Sequence, residues 1–197
     1  MLMRVVAIIQ ARMGSTRLPR KVMMDLGGEP VLARVVARAR KARLLDEVVV
    51  ATTDLEADNA IVDLCAARGW PCFRGSEEDV LDRYYRAATA FGADIVVRIT
   101  SDCPLIEPEV IDLVVQRFLD GGSVDYASNT LPPRTFPRGL DVEVMTFAAL
   151  ATAWQEDDNP AWREHVTPYL YRHPEKFRLL SVINEEDYSH MRWTVDT

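Results

Sequence analysis

The sequence contains few cysteines, and none are paired at the spacing of a metal or redox site. Its three cysteines, Cys65, Cys72 and Cys103, form no C-x-x-C motif, and their number is odd. A disulfide framework or a zinc site is therefore not expected. This usage is typical of a reducing compartment, so we expect a cytoplasmic location.

Long apolar runs are also missing. The first one, residues 5–9, is too short for the core of a signal peptide or for a membrane span, and no other run approaches spanning length. We therefore expect a soluble protein that does not insert into a membrane. With 197 residues, of which 48% are hydrophobic and 27% charged, the chain suits one globular domain, and we predict a single domain over residues 1–197.

Positive charge is scarce overall but concentrated at the start of the chain. The formal net charge of −7 argues against a general nucleic-acid binder, because such domains usually carry a basic face. Residues 1–43 hold ten Lys and Arg against two acids, whereas the remainder holds 13 basic and 28 acidic side chains. A small polyanion that meets only the first segment is therefore a better partner than a nucleic-acid duplex.

Apolar runs typical of buried strands alternate with stretches typical of helices. Strands are predicted at residues 5–9, 47–51, 71–74 and 94–100, and helices from residue 30 and over residues 53–67, 80–91 and 108–119. The second helix is predicted to begin at a capping box of Thr53 and Glu56. This alternation predicts an α/β fold with a mostly parallel sheet flanked by helices. Ligands of such sheets bind beyond the carboxyl ends of the strands, where Ala11, Thr52 and Ser101 can share a crevice.

The pattern becomes irregular after Gly121. Residues 122–146 contain the proline-rich stretch NTLPPRTFPRG and then an alternating run at 140–145. We predict an irregular arm here that leaves the sheet and returns as a strand. Beyond it, helices are predicted at residues 148–154 and 162–171, and strands at 177–182 and 191–195.

A basic loop, ARMGSTRLPRK, follows the first predicted strand. Gly14 and Ser15 offer backbone N–H groups and a hydroxyl to phosphate oxygens, and Arg12, Arg17 and Lys21 add charged donors. The P-loop pattern GxxxxGK[ST] and the dinucleotide pattern GxGxxG are both absent. Composition alone leaves two readings open, a phosphate-binding loop and a solvated basic turn.

Two aspartates come directly after apolar strands, Asp102 in RITSDCPLI and Asp196 in MRWTVDT. A single carboxylate rarely holds Mg²⁺, which usually takes one or two carboxylates together with substrate phosphates. Asp102 and Asp196 can therefore hold a metal on a triphosphate. The alternative for Asp102 is a helix cap.

Five segments, in order along the chain, carry a resemblance to a known family: IIQARMGSTRLPRKVMMDLGG, FRGSEEDVLDRYYRAA, VVRITSDCPLI, FPRGLDVEV and EHVTPYLY. Together they resemble the sugar-acid cytidylyltransferases, which include CMP-Kdo synthetase. The most similar branch is that of spore coat polysaccharide biosynthesis, related to the enzymes of 3-deoxy-manno-octulosonate and of neuraminate-type sugars. The match runs from Ile8 to Thr197.

The resemblance implies a fold and an activity. The fold is the Rossmann-like one of nucleotide-diphospho-sugar transferases. The activity is transfer of CMP from CTP to a sugar, in particular a keto-deoxy sugar acid, with release of pyrophosphate in surface polysaccharide biosynthesis. Mg²⁺ is the implied cofactor, and a homodimer formed through the irregular arm is the implied assembly.

The resemblance also implies roles for individual residues. It assigns catalytic roles to Arg12, Lys21 and Asp102, and it assigns Mg²⁺ binding to Asp102 and Asp196. Nucleotide contacts fall on Ala11, Arg12, Gly14, Ser15, Arg17, Lys21, Arg74, Thr100 and Ser101. Sugar contacts fall on Arg138, Gly139, Asp141, Glu143 and His165. Family members usually continue past the second aspartate with a Pro-Glu-Asp segment and a closing helix, whereas this sequence ends at Thr197.

Alternative functions stay open at this point. A metal-dependent glycosyltransferase that uses a nucleotide-sugar shares the strand–helix alternation, but it typically carries a D-x-D pair, which SDCP lacks. A guanylyl- or uridylyltransferase of the related group begins with a Gly-Gly loop, which is absent here. An inactive nucleotide-binding homologue would retain the loop and lack turnover.

Overall fold

The computed structural model describes residues 3–15 and 18–195. Within these residues, seven strands form one sheet in the order β3-β2-β1-β4-β6-β5-β7. The strands are β1 Val5–Gln10, β2 Glu47–Thr53, β3 Cys72–Gly75, β4 Ile95–Thr100, β5 Tyr126–Ser128, β6 Glu143–Thr146 and β7 Leu179–Ser181. All neighbouring pairs are parallel except those of β6, which runs antiparallel to β4 and β5. The predicted mostly parallel α/β sheet is confirmed.

Helices cover both faces of the sheet. They are α1 Val31–Ala39, α2 Asn59–Arg68, α3 Val80–Ala90, α4 Pro108–Asp120, α5 Phe147–Glu156, α6 Pro160–His165 and α7 Pro168–Arg172. In β1, Ala7 and Ile9 join the apolar layer under α1, α2 and α4, while Val6 and Ile8 join the layer under α3 and α5. Because successive strand residues face opposite sides, burial on both faces requires the continuous apolar runs seen in the sequence. None of the helices in the described ranges has the length and apolar character that a bilayer crossing requires.

The register of the sheet gathers several polar residues at one edge. Gln10 of β1 pairs with Thr100 of β4, so the segments that follow these two strands leave the sheet side by side. Antiparallel β6 begins at the same edge, with Glu143 opposite Arg98. This edge lies beyond the carboxyl ends of the parallel strands, where ligands of such sheets bind.

The predicted capping box at Thr53 is wrong. Strand β2 continues through Thr53, which pairs with Gly75 of β3, and α2 begins only at Asn59. The Thr53 hydroxyl donates a hydrogen bond to Asp58 and accepts one from the N–H of Leu55. The backbone of Thr53 pairs with strand β3, whereas the local sequence pattern had predicted that it begins a helix.

Three other predicted elements differ from the structure. The single helix predicted over residues 162–171 is two short helices, α6 and α7, which are separated at Val166, where φ is +69°. The strand predicted at 191–195 is reduced to one bridge, between Arg138 and Arg192. In the predicted arm, residues 126–128 and 143–146 are strands of the sheet, so the irregular part spans residues 129–142 and contains a cis peptide bond between Pro132 and Pro133.

Candidate active site

Two adjoining clefts open at the carboxyl edge of the sheet. The first, here called the loop cleft, has a volume of about 320 Å³ and is lined by the segment after β1, by Lys21 and by residues 100–102. The second, here called the arm cleft, has a volume of about 600 Å³ and is lined by residues 130–132, 134, 141 and 143 and by Thr167 and Tyr171. Arg98, Thr100 and His165 line both clefts, so the two spaces meet at these residues.

The basic loop is fixed to the rest of the fold by a buried carboxylate. Asp58, 2% exposed, accepts a hydrogen bond of 2.6 Å from the N–H of Met13 and another from the Thr53 hydroxyl. The N–H of Arg20 also bonds the carbonyl of Met13 at 2.9 Å, which closes the loop on itself. This anchoring leaves Gly14 and Ser15 on the wall of the loop cleft.

Lys21 and Asp102 meet at the floor of the loop cleft. Lys21 Nζ lies 3.1 Å from Asp102 Oδ2, and the Thr100 hydroxyl donates a 2.6 Å hydrogen bond to Asp102 Oδ1. Burial by itself would raise the pKa of Asp102, but the Thr100 hydrogen bond and the Lys21 ammonium outweigh it and lower that pKa below its usual value. Asp102 is therefore ionised at neutral pH, and Thr100 and Lys21 fix its orientation.

Arg12 lines the same cleft and is held only loosely. Its guanidinium lies 3.7 Å from Glu77 and 3.7 Å from Glu164, and its side chain is 36% exposed. Ion pairs of this length and exposure contribute little to stability, so the guanidinium can turn toward a ligand at small cost. Arg17, on the same loop, lies outside the described residues.

Ala11 and Ser101 also line the loop cleft, whereas Arg74 lines neither cleft. The Arg74 guanidinium donates hydrogen bonds to the carbonyls of Thr53 and Leu55 and to the side chain of Asn59. These bonds fix the turn after β2. A nucleotide contact by Arg74 stays a prediction.

Among the residues predicted to contact the sugar, Asp141, Glu143 and His165 line the arm cleft, whereas Arg138 and Gly139 do not. Arg138 pairs through its backbone with the C-terminal segment, since its N–H bonds Met191 at 3.0 Å and its carbonyl accepts from Trp193 at 2.7 Å.

Gly139 allows the C-terminal segment to lie this close to the backbone of the arm. Its φ is +104°, and a Cβ there would lie 2.6 Å from the Trp193 carbonyl oxygen. Both residues therefore seat the C-terminal segment in this structure, and a sugar contact by either stays a prediction. That segment runs back to the site, because the N–H of Val195 bonds the carbonyl of Asp102 at 2.9 Å. Asp196 lies outside the described residues.

Several residues of the clefts were missed by sequence reasoning. Arg98 had a visible signal, because it is the one charged residue of strand β4, whose other residues are apolar except Thr100. Arg83 was not missed, because the family resemblance implies that the segment with Asp82 and Arg83 borders the nucleotide pocket; it lines the loop cleft, is 1% exposed, and its burial lowers its pKa. A Cβ on Gly75 would lie 3.1 Å from Arg83 Cγ, so Gly75 makes room for that side chain. The arm cleft adds Thr130 and Arg134 from the proline-rich stretch and Thr167 and Tyr171 from the segment EHVTPYLY, two segments that lie far apart along the chain.

With this geometry in place, comparison with known proteins identifies the family. A family model described as cytidylyltransferase matches residues 6–195. The chain belongs to the cytidylyltransferase family. The resemblance inferred from the sequence motifs is thereby confirmed.

Three relatives illustrate the range of the family. An uncharacterized protein of Methanocaldococcus jannaschii is 43% identical, covering 99% of this chain and 79% of that protein. The spore coat polysaccharide biosynthesis protein SpsF of Bacillus subtilis is 35% identical over 96% of this chain and 80% of its own length. A 3-deoxy-manno-octulosonate cytidylyltransferase of an Anaeromyxobacter species is 38% identical over 73% of this chain and 58% of its own length.

Two solved structures share the fold. A cytidylyltransferase from Leptospira borgpetersenii superposes with a TM-score of 0.94 at 38% identity, covering 100% of this chain and 82% of that one. A CMP:2-keto-3-deoxy-manno-octonic acid synthetase complexed with CTP superposes with a TM-score of 0.74 at 21% identity, covering 98% and 93% of the two chains. The second likeness shows the fold alone.

Proposed function

We propose that this protein transfers CMP from CTP to a hydroxyl of a keto-deoxy sugar acid and releases pyrophosphate. The observation that carries the proposal is the contact of 3.1 Å between Lys21 and Asp102 on the floor of the loop cleft, beside the residues at which that cleft meets a second, larger one. One cleft then takes the nucleotide and the other the acceptor. The names of the SpsF and 3-deoxy-manno-octulosonate relatives support this substrate class and a role in surface polysaccharide biosynthesis.

The loop cleft has the chemistry of a triphosphate site. Arg12, Ser15 and Lys21 bring two cationic groups and a hydroxyl to one wall. The loop backbone around Gly14 is held in place by Asp58 through the N–H of Met13. Charged donors on an ordered backbone suit phosphate oxygens. We propose that Arg17, on the same loop, also binds the phosphates.

The donor set of the loop cleft fits Mg²⁺ bound together with substrate phosphates. Asp102 supplies an ionised carboxylate that is 23% exposed at the side chain, and within residues 3–15 and 18–195 no group of three or more His, Cys, Asp or Glu is arranged to hold a metal ion by itself. A site with few protein carboxylates is the usual one for Mg²⁺ on nucleotides. We propose Asp102 and Asp196 as the ligands, supported by the chain path that brings Val195 to Asp102. When bound, the metal would supply positive charge at the phosphates.

The reaction follows from the arrangement of the clefts. The sugar hydroxyl attacks the α-phosphorus in line, the bond between the α- and β-phosphates breaks, and the hydroxyl proton passes to water. Lys21 and Arg12 bind the phosphates and neutralise the charge that grows on the departing pyrophosphate. Positioning and fixed charge supply most of the catalysis in such transfers.

A pyrophosphate-release assay tests the proposal. Each of ATP, CTP, GTP and UTP is combined with Mg²⁺ and a panel of keto-deoxy sugar acids. The expected result is release that requires both CTP and one of the sugar acids. Transfer from a nucleotide-sugar without pyrophosphate would indicate a glycosyltransferase instead, and tight CTP binding without turnover on the whole panel would indicate an inactive homologue.

We also propose a homodimer formed through the arm and the C-terminal segment. Residues 184 and 188 bond Thr135 of the arm through their backbone N–H groups, so the two segments form one surface. Ile183 and Trp193 remain 57% and 38% exposed on the C-terminal segment. Light scattering measures the mass in solution, and a monomeric mass at assay concentration would contradict the dimer.

A further inference from the structure

The meeting point of the two clefts is where the transfer must occur. In-line attack brings a hydroxyl from the arm cleft to a phosphorus from the loop cleft, so both lie beside the three residues that line both spaces. Of these three, only Arg98 carries a permanent charge. We propose that the Arg98 guanidinium binds a non-bridging oxygen of the α-phosphate and stabilises its charge during transfer. This inference rests on the proposed function.

Arg98 is held by a network that reaches across the sheet. Arg98 Nη1 forms an ion pair with Glu143 Oε2, and this carboxylate is 7% exposed. The other oxygen, Glu143 Oε1, accepts hydrogen bonds from Tyr126 at 2.5 Å and from Thr167 at 2.7 Å. Because three donors share the charge of Glu143, the carboxylate orients the guanidinium without fully neutralising it.

The Arg98 side chain has one donor that the described residues leave unused. Arg98 Nε is buried and has no hydrogen-bond partner within residues 3–15 and 18–195, and the side chain keeps 13% of its surface exposed. Burial alone would lower the pKa of Arg98, but the Glu143 carboxylate outweighs it and holds that pKa above its usual value, so the group stays charged.

The position in the fold adds to this point. Arg98 interrupts a strand whose neighbours Val97 and Ile99 are fully buried, where an apolar side chain would pack without such a network. Burying a charge and its counter-ion is often neutral or costly compared with apolar packing. Stability therefore does not explain the buried charge of Arg98, whereas binding of an anionic ligand where the two clefts meet does explain it.

The bond changes show what Arg98 contributes. As the sugar O–P bond forms, the α–β P–O bond breaks and its electron pair leaves with pyrophosphate. The hydroxyl proton passes to water. The non-bridging oxygens of the α-phosphate carry negative charge in CTP, in the transition state and in the product. The parallel N–H groups of a guanidinium match the geometry of two such oxygens. Loss of one such preorganised donor typically lowers kcat by about 10²–10³-fold.

The test uses the double substitution Arg98→Gln with Glu143→Gln. The single Arg98→Gln change would leave a buried carboxylate unpaired and can unfold the protein, whereas the double change removes both charges and keeps an acceptor for Tyr126 and Thr167. In a variant shown by circular dichroism to be folded at the assay temperature, we expect kcat for pyrophosphate release to fall by about 10²-fold or more. CMP, which carries the α-phosphate, should bind about tenfold more weakly by calorimetry, while cytidine binding stays unchanged.

Arg4→Gln is the matched control. Arg4 also pairs with a strand-start glutamate, Glu47, at 2.6 Å, but at the opposite edge of the sheet. Arg4→Gln should change neither kcat for pyrophosphate release nor the affinities for CMP and cytidine. A folded double variant with kcat within about threefold of wild type would overturn the inference, as would equal losses of CMP and cytidine affinity.

If the wild-type protein turns over no sugar acid, the proposed function fails. The comparison of CMP with cytidine then still decides whether Arg98 contacts the phosphate.

Discussion

The loop cleft and the arm cleft balance their charges differently. In the arm cleft each arginine has a carboxylate of its own, Arg98 with Glu143 and Arg134 with Asp141. In the loop cleft Lys21 is paired with Asp102 at 3.1 Å, but among the described residues the ion pairs of the Arg12 guanidinium are 3.7 Å long, and the guanidinium of buried Arg83 donates to the carbonyl of Ser76 rather than to a carboxylate. A paired cleft presents oriented donors and acceptors to a hydroxyl-rich ligand. A cleft with loosely held cations suits a polyanion.

The largest expected effect comes from breaking the contact at the floor of the loop cleft. Lys21→Ala and Asp102→Ala should each lower kcat by about 10²–10³-fold or more, because each removes a charge placed at the phosphates. Pyrophosphate release measures the loss, and circular dichroism checks that the fold is retained. Lys41→Ala, at an exposed lysine just beyond α1, is the control. Near-normal pyrophosphate release by Lys21→Ala or Asp102→Ala would contradict the proposed role of that residue at the phosphates.

A change in the arm cleft should affect the acceptor alone. Arg134 is held by Asp141 and by the carbonyls of Phe136 and Pro137. Arg134→Gln leaves the Asp141 carboxylate unpaired in a cleft proposed to take an anionic sugar, so KM for the acceptor should rise about tenfold while KM for CTP stays within about twofold.

Steady-state kinetics with each substrate varied in turn measures both KM values. Arg178→Gln, which removes an exposed arginine 3.6 Å from Asp125, serves as the control. An equal rise in both KM values would show that the two clefts do not separate the substrates.

The arm cleft also depends on a strained backbone. Val166, between His165 and Thr167, is fully buried with φ +69° and ψ −54°, a conformation that costs a β-branched residue about 1–3 kcal/mol. Glycine would relieve that strain. Val166→Gly should therefore be at least as stable as Val166→Ala, although it removes one more carbon.

Val97, fully buried in β4, provides the comparison. There Gly should be about 0.5–1 kcal/mol less stable than Ala. Urea denaturation of the four variants gives the free energies of unfolding. The same order of Gly and Ala at both positions would mean that Val166 stores no strain.

The smallest expected effect concerns the pH dependence of stability. Because the folded pKa of Asp102 lies below its ordinary value of 3.8, the ionised carboxylate stabilises the fold above that pH, and the contribution is lost as pH falls through the folded pKa. The difference in unfolding free energy between wild type and Asp102→Asn should therefore narrow from pH 6 to pH 3. Thr100→Val, which removes a hydrogen bond to the carboxylate, should reduce this narrowing. A constant difference over the range would contradict the lowered pKa.

The two clefts also differ in how much of each could be read from the sequence. The loop cleft is built mainly from residues 10–15 and 21–22 of the segment around the basic loop and from residues 98–102, and strand–helix alternation suffices to place these segments at one edge of a parallel sheet. The predictions of Lys21 and Asp102 followed from that local pattern. The anchoring of the loop by Asp58 did not, because it depends on a contact 45 residues away.

The sequence by itself determined the α/β class, most strands and helices, and the family, because apolar periodicity and contiguous motifs are local properties of the chain. Only the tertiary structure decided that Arg138 and Gly139 seat the C-terminal segment, that Val166 divides a helix, and that Arg98 stands between two clefts. Each of these depends on partners far away in the sequence, such as Trp193 for Gly139 and Glu143 for Arg98. Local propensity carries no information about such partners, and packing decides them.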